Sequence, residues 1–222
     1  MPGPIRAIVF DFDGLILDTE TPEVEAWDAE FARHDLAIPD GWWHNVTGRG
    51  PEEVLEWPID LLERLLGRPV DEHSVMARVN RIRLEGIGTA EIRPGVVSLL
   101  DTADELSVMI GLASSSAHPW VDGHLKRLGL WDRFGPVVCR GDAPRAKPQP
   151  DLYLRCCEKL GVAPREALAL EDSPNGIKAA KAAGMWCVAV PNDVTAMLDL
   201  SEADFRLPSL ESLDLSTWIA ST

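Results

Sequence analysis

The sequence predicts an α/β fold, in which a parallel-sheet core carries an inserted block of helices. Three observations point there. From residue 93 onward, short apolar runs alternate with stretches of helical spacing, the pattern of βαβ units around a parallel sheet. A further strand-like run, Ile5–Phe10, stands alone near the N-terminus and belongs to the same sheet. Between them, residues 20 to about 88 repeat apolar positions at helical spacing and contain no convincing strand.

Ile5–Phe10 is a short run with β-branched residues that stops abruptly at Asp11-Phe12-Asp13-Gly14, as a buried strand would. In the helical block Val24, Trp27 and Phe31 share one face, as do Leu55, Ile59 and Leu62, and Val75, Val79 and Ile82. Breaks at Pro39-Asp40-Gly41, Gly48–Pro51 and Gly67–Pro69 divide the block into roughly four helices. After it, Pro94-Gly95 opens a helix to about Glu105, and Val108–Ala113 reads as a strand ending in three serines. Helices over 119–128 and 151–160 alternate with strands over 136–139 and 167–170. Ser173 is placed to N-cap a helix over 174–183, with Pro174 at its first position and Gly184 beyond its end. A last strand is expected over 186–190. The core is therefore expected over 1–17 and 93–222, and the helical insertion over 18–92.

Composition removes several functions. Apolar residues make up 45% and charged residues 26% of 222, an ordinary globular balance that excludes disorder and coiled coil. The formal charge is −15, so nucleic acid and anionic membrane surfaces are expected not to be partners. No apolar run approaches the ~18–20 residues of a membrane span, and the N-terminal run shows no cleavage signature. Cys139, Cys156, Cys157 and Cys187 form no CxxC or zinc spacing, so a reduced, cytoplasmic protein is expected.

In open α/β sheets, ligands bind beyond the carboxyl ends of the strands. Reading those ends in order gives Asp11 and Asp13, then Ser114, Ser115 and Ser116, then a loop reaching Lys147, then Glu171 and Asp172. Four carboxylates at one sheet edge repel one another unless a cation joins them, and hard oxygen ligands beside a phosphate favour Mg²⁺. The serines, read as the start of a helix, and Lys147 suit a phosphate group. No Cys or His occupies a strand end, which leaves a carboxylate as the nucleophile.

These motifs resemble the haloacid-dehalogenase-like (HAD) superfamily, in the branch of small sugar-phosphate phosphatases and β-phosphoglucomutases. The matching stretches are Phe10–Glu20 (FDFDGLILDTE), Leu112–Ser116 (LASSS), Ala146–Asp151 (AKPQPD) and Leu170–Gly176 (LEDSPNG), in the family's order. The resemblance implies a Rossmann-like parallel-sheet core with an inserted four-helix cap. It implies Asp11 as nucleophile and Asp13 as general acid and then base, with Ser114 and Lys147 holding the transferring phosphoryl group. It also implies Mg²⁺ held by Asp11, Asp13 through its main-chain carbonyl, and Asp172, with Glu171 assisting. Ser115 and Ser116 would contact substrate, as would Gly48 and Arg49 in a cap loop. Because small members are often monomers, a single chain is the expected unit.

The cap narrows the choice. It contains seven Arg and no Lys, whereas phosphonatases and β-phosphoglucomutases resembling this chain depend on a cap lysine. Thr21-Pro22-Glu23 stands where such mutases carry a histidine. The expected activity is therefore hydrolysis of a small phosphorylated metabolite, such as a sugar phosphate. A phosphomutase, and a non-catalytic protein binding a phosphometabolite or a partner, are the alternatives. Arg49 reads either as a substrate contact or as a solvated loop residue, and Trp42-Trp43 either as a wall for a sugar or as an anchor for a helix. His118 reads as an exposed helix start that could approach the ligand.

Overall fold

Side chains alternate across a strand, and in β1 (Ala7–Phe10) this sends Ile8 and Phe10 to one face and Ala7 and Val9 to the other. The computed structural model, which describes residues 5–47 and 54–219, places this strand near the centre of a sheet. Three helices follow it: α1 (Glu20–Ala32), α2 (Pro58–Leu66) and α3 (Glu72–Thr89). The chain then continues through α4 (Val96–Glu105), β2 (Met109–Ala117), α5 (His118–Arg127) and β3 (Val137–Arg140). It goes on through α6 (Asp151–Leu160), β4 (Ala167–Glu171), α7 (Pro174–Ala183) and β5 (Trp186–Ala189). A two-residue β6 (Phe205–Arg206) and a short α8 (Ser216–Ile219) close the described chain.

All six strands are parallel and run in the order β3-β2-β1-β4-β5-β6, the order of a doubly wound, Rossmann-like sheet. Leu99 and Leu100 of α4 and Val121 and Leu125 of α5 pack on the face carrying Ile8, Phe10, Leu168 and Leu170. The opposite face presents Ala7, Ala113, Ala167, Ala169 and Ala189 to α6 and α7. Short methyl side chains let those two helices approach closely, and Tyr153 and Ile177 fill the gap. Helix α7 begins and ends as its sequence dictates. The Ser173 hydroxyl accepts from the Gly176 N–H at 3.2 Å, and Gly184 terminates the helix at φ +83°.

Helices α1–α3 have a hydrophobic centre of their own, built from Ala26, Trp27, Phe31, Trp42, Leu61, Leu62, Val75 and Val79. Where the chain leaves and re-enters the core, Leu17 and Ile92 form an isolated antiparallel bridge. Among the described residues the insertion holds three α-helices rather than four. The expected second helix is a 3₁₀ turn, Trp42–Asn45, which follows directly on Gly41 at φ +74°. The serine strand is also longer than expected. It runs on to Ala117, which pairs with Arg140 across an irregularity in the register, so the three serines lie in strand rather than at a helix start. No described helix is long and apolar enough to cross a membrane.

Phe31 is fully buried and meets Trp27 edge-on at 6.5 Å. Phe31→Ala should lower stability by about 3–5 kcal/mol through the cavity it leaves. Urea unfolding followed by Trp fluorescence checks this; a loss below about 1 kcal/mol would contradict a tightly packed centre in the helical insertion.

Candidate active site

Parallel pairing puts the carboxyl ends of β1, β2 and β4 side by side, with Phe10 in register with both Leu112 and Leu170. The residues that follow must converge. Asp11 leaves β1 with its N–H bound to the Leu170 carbonyl at 3.0 Å. Ser114 lies in β2, Glu171 ends β4 and Asp172 comes next. Lys147 arrives on the loop after β3, its main-chain N–H donating to the Ser115 hydroxyl at 3.3 Å. Its Nζ lies 2.6 Å from Asp11 Oδ1 and 2.6 Å from Glu171 Oε1, and the side chain is only 6% exposed. The Tyr153 hydroxyl, rising from α6, donates to the same Glu171 oxygen at 2.6 Å.

Asp172 has a different environment. Its Oδ2 accepts from Asn192 Nδ2 at 3.0 Å, and Arg93 stands close by, donating to the main-chain oxygens of Gly14 and Pro191. Two glycines make room for the acids. A side chain on Gly14, which sits at φ +76°, would strike the Asp172 carboxylate, and one on Gly176 would strike that of Glu171. Asp13 points away from this cluster and is held by neutral donors: Ser116 Oγ at 2.6 Å, Trp120 Nε1 at 2.8 Å and Ser114 Oγ at 3.4 Å.

Burial among like charges sets the protonation of the cluster. Burial pushes the Asp11 carboxyl up to about 7, Lys147 pulling it down and Glu171 adding to the rise. Glu20 is pushed up to about 8 by burial and then by Asp13, Asp18 and Asp11. Asp172 is raised well above the usual carboxylate range, by burial first and then by Glu20, Asp11 and Glu171. Burial pulls Lys147 down, but Asp11 and Glu171 outweigh it and hold the ammonium above the ordinary lysine value. Carboxylate oxygens of Asp11, Glu171 and Asp172 all lie within 4.8 Å of one another. One buried ammonium does not balance them, and all are hard oxygen donors, so the set fits a divalent cation such as Mg²⁺.

Between the sheet edge and the helical insertion opens a cavity of about 920 Å³. Asp13, Ser115 and Ser116 face it from the core. Trp43 lines it, whereas Trp42 is buried in the insertion's centre with its indole N–H on Glu56 at 3.2 Å. Trp42 thus takes the anchoring position, and Trp43 faces the cavity. His118 turns to Asp122 at 3.0 Å and Asp142 at 2.8 Å, which hold its imidazole pKa up and tie the start of α5 to the loop after β3. Gly48 and Arg49 lie outside the described residues.

Three neighbours of the cluster escape the strand-end reading. Glu20 stands within the first motif, and Asn192 follows β5, so the same rule extended by one strand reaches it. Trp120 carries no local signal, because its contact with Asp13 depends on how α5 packs.

Comparison with known proteins agrees with this architecture. A family model described as haloacid dehalogenase-like hydrolase matches residues 5–184. The chain belongs to the haloacid dehalogenase-like hydrolases. It is 43% identical over 213 residues to the candidate phosphatase YhcW of Bacillus subtilis, covering 96% of this chain and 95% of that one. It is 33% identical over 224 residues to hexitol phosphatase B of Escherichia coli K12, covering 96% of each. Among solved structures, CbbY of Rhodobacter sphaeroides in complex with xylulose-(1,5)bisphosphate superposes with a TM-score of 0.70 at 25% identity, covering 95% and 96%. The protein is thus a HAD-family phosphatase.

Trp120→Phe keeps an aromatic ring beside Asp13 and removes its N–H donor. A net hydrogen bond contributes ~0.5–1.5 kcal/mol, so kcat should fall about 2–10-fold at unchanged Tm. An unaltered kcat would mean that Ser116 alone holds Asp13 in place.

Proposed function

We propose that this HAD-family enzyme is a Mg²⁺-dependent phosphomonoesterase acting on a small phosphorylated sugar or polyol through an aspartyl-phosphate on Asp11. One observation carries the reading. Asp11 is buried within 2.6 Å of the Lys147 ammonium, while Asp13, two residues on, is held by neutral donors at the edge of the cavity. A nucleophile and a proton carrier so divided can act in succession on one phosphoester. The relative named hexitol phosphatase B supports a polyol phosphate as substrate.

The chemistry follows from the placement. An Asp11 carboxylate oxygen attacks phosphorus and the bond from phosphorus to the alcohol oxygen breaks. Asp13 gives its proton to that oxygen, so a neutral alcohol leaves into the cavity. Asp13, now a carboxylate, takes a proton from water; the water oxygen attacks phosphorus, the bond to Asp11 breaks, and phosphate departs. Lys147 and Ser114 hold the phosphoryl oxygens throughout. Asp11, Asp172 and the Asp13 main-chain carbonyl would hold Mg²⁺ with Glu171 assisting, and the ion supplies positive charge that lets an anionic nucleophile meet an anionic phosphate.

Two outcomes test this reading. Asp11→Asn should abolish Mg²⁺-supported phosphate release from p-nitrophenyl phosphate while circular dichroism stays native; substantial turnover would remove the covalent route. The second concerns pH. Without metal, the raised pKa values of Asp11 and Glu20, about 7 and about 8, mean that the folded chain binds more protons than the unfolded one above about pH 4. Metal-free stability should therefore fall as pH rises toward 8. Mg²⁺ competes with those protons, so the rise in Tm on adding it should grow from pH 5 to pH 8. A gain independent of pH would place the ion elsewhere.

A further inference from the structure

The cavity that receives the alcohol half of the substrate has an unusual sign for an enzyme that binds phosphate. Glu20, Glu23, Asp60, Glu63 and Glu72 of the helical insertion line it, and Asp13 joins them from the core. Arg83 and Arg140 are the only basic residues on its described wall. Arg83 is already paired, lying 3.1 Å from Glu23, and Arg140 ends β3, on the side where the phosphoryl group is handled.

Of these acids, Asp60 and Glu63 use one oxygen each on a main-chain N–H, of Trp57 and Val70, both at 2.9 Å. Each second oxygen remains available as an acceptor, and Glu72 projects from the first turn of α3. Interleaved with them are four indoles, Trp27, Trp43, Trp57 and Trp120. Carboxylates beside indole faces form a receptor for a cation: the acids supply charge and accept N–H and O–H hydrogen bonds, and the rings offer their negative faces. A second anionic group on the substrate would meet like charge on most of the wall, a repulsion that excludes wrong ligands strongly. The volume of about 920 Å³ is near the top of the ~300–1,000 Å³ range that encloses a drug-sized ligand.

We propose that the preferred substrate is the phosphomonoester of an amine-bearing sugar or cyclitol, whose ammonium lies among Asp60, Glu63 and Glu72 while its phosphate meets Asp11 and Lys147. This rests on the phosphatase reading of the same site and adds the class of alcohol that it selects. The ammonium end of such a substrate meets the acidic wall, and its phosphate end meets the Lys147 ammonium.

Matched sugar phosphates test the proposal. Phosphate release is measured with Mg²⁺ at low ionic strength for glucosamine 6-phosphate, N-acetylglucosamine 6-phosphate, glucose 6-phosphate and 6-phosphogluconate, with p-nitrophenyl phosphate as reference. The acetamide keeps the bulk and removes the charge. The expected order of kcat/KM is amine, then the two neutral sugars, then the carboxylate, with the amine ahead of the acetamide by about tenfold or more. Raising the salt concentration should narrow that gap. Glu63→Gln combined with Glu72→Gln should shrink the amine-to-acetamide ratio to about threefold or less. The amide oxygen introduced by Glu63→Gln still accepts from the Val70 N–H, so the local fold is kept. Equal kcat/KM for amine and acetamide, or a lead for the carboxylate, overturns this inference alone. Failure to release phosphate from every compound, p-nitrophenyl phosphate included, overturns the phosphatase reading and this inference with it.

Discussion

The Lys147 ammonium, buried between Asp11 and Glu171 at 2.6 Å from each, is the interaction around which the carboxyl edge of the sheet is organised. A charge taken out of water at that depth persists only with partners, and removing one partner leaves an uncompensated ion at a cost of ~3–5 kcal/mol. The surrounding elements supply those partners. β1 delivers Asp11, β4 delivers Glu171, α6 sends Tyr153 to Glu171, and Ser115 of β2 fixes the main chain of Lys147. Even so, the charges do not balance. Asp172 lies within the same group of oxygens with an amide as its hydrogen-bond donor, and Glu20 approaches from α1. The resulting excess of negative charge destabilises the empty cluster and makes it receptive to a divalent cation.

The fold achieves this concentration without long loops. Because β1 pairs in register with both β2 and β4, three strands reach the same edge with their last residues abreast. A slip of one residue in either pairing would turn Asp11 or Glu171 toward a helix-covered face, where Phe10 and Leu170 now pack. Apolar register and polar site are therefore specified by the same alternation. The glycines follow the same logic: Gly14 and Gly176 are small because acids press against them.

This explains which parts of the molecule were legible in the sequence. Asp11, Ser114, Lys147, Glu171 and Asp172 each sit at or just beyond a strand whose apolar run announces it, so order along the chain translates into proximity. Trp120 does not, since it lies one turn into α5 and reaches Asp13 only through the packing of that helix. The helical insertion was legible as helical, but not in its count. Trp42 to Thr47 has apolar spacing adequate for a helix, yet after the left-handed Gly41 the chain forms a single tight turn. The extension of β2 through the serines was hidden for a related reason. Ser-Ser-Ser has no strand signature, and the strand is carried past it to Ala117, which pairs with Arg140 of β3.

The overall charge of −15 also changes meaning once the acids are located. Some are structural: Glu30 is 1% exposed and held by Arg78, with Arg33 and His34 nearby, and Glu56 pairs with Arg64. Others form the cluster at the sheet edge. A third group lines the cavity. A phosphate is repelled by that wall, which favours poses that turn it toward Lys147. For an ester whose alcohol is neutral, that field contributes orientation at the phosphate end alone. When the alcohol carries an ammonium, both ends are aligned by the same gradient, and the reversed pose is doubly unfavourable. The acidity of the helical insertion, which as a surface property would only hinder an anionic substrate, thereby acts as a means of choosing among such substrates.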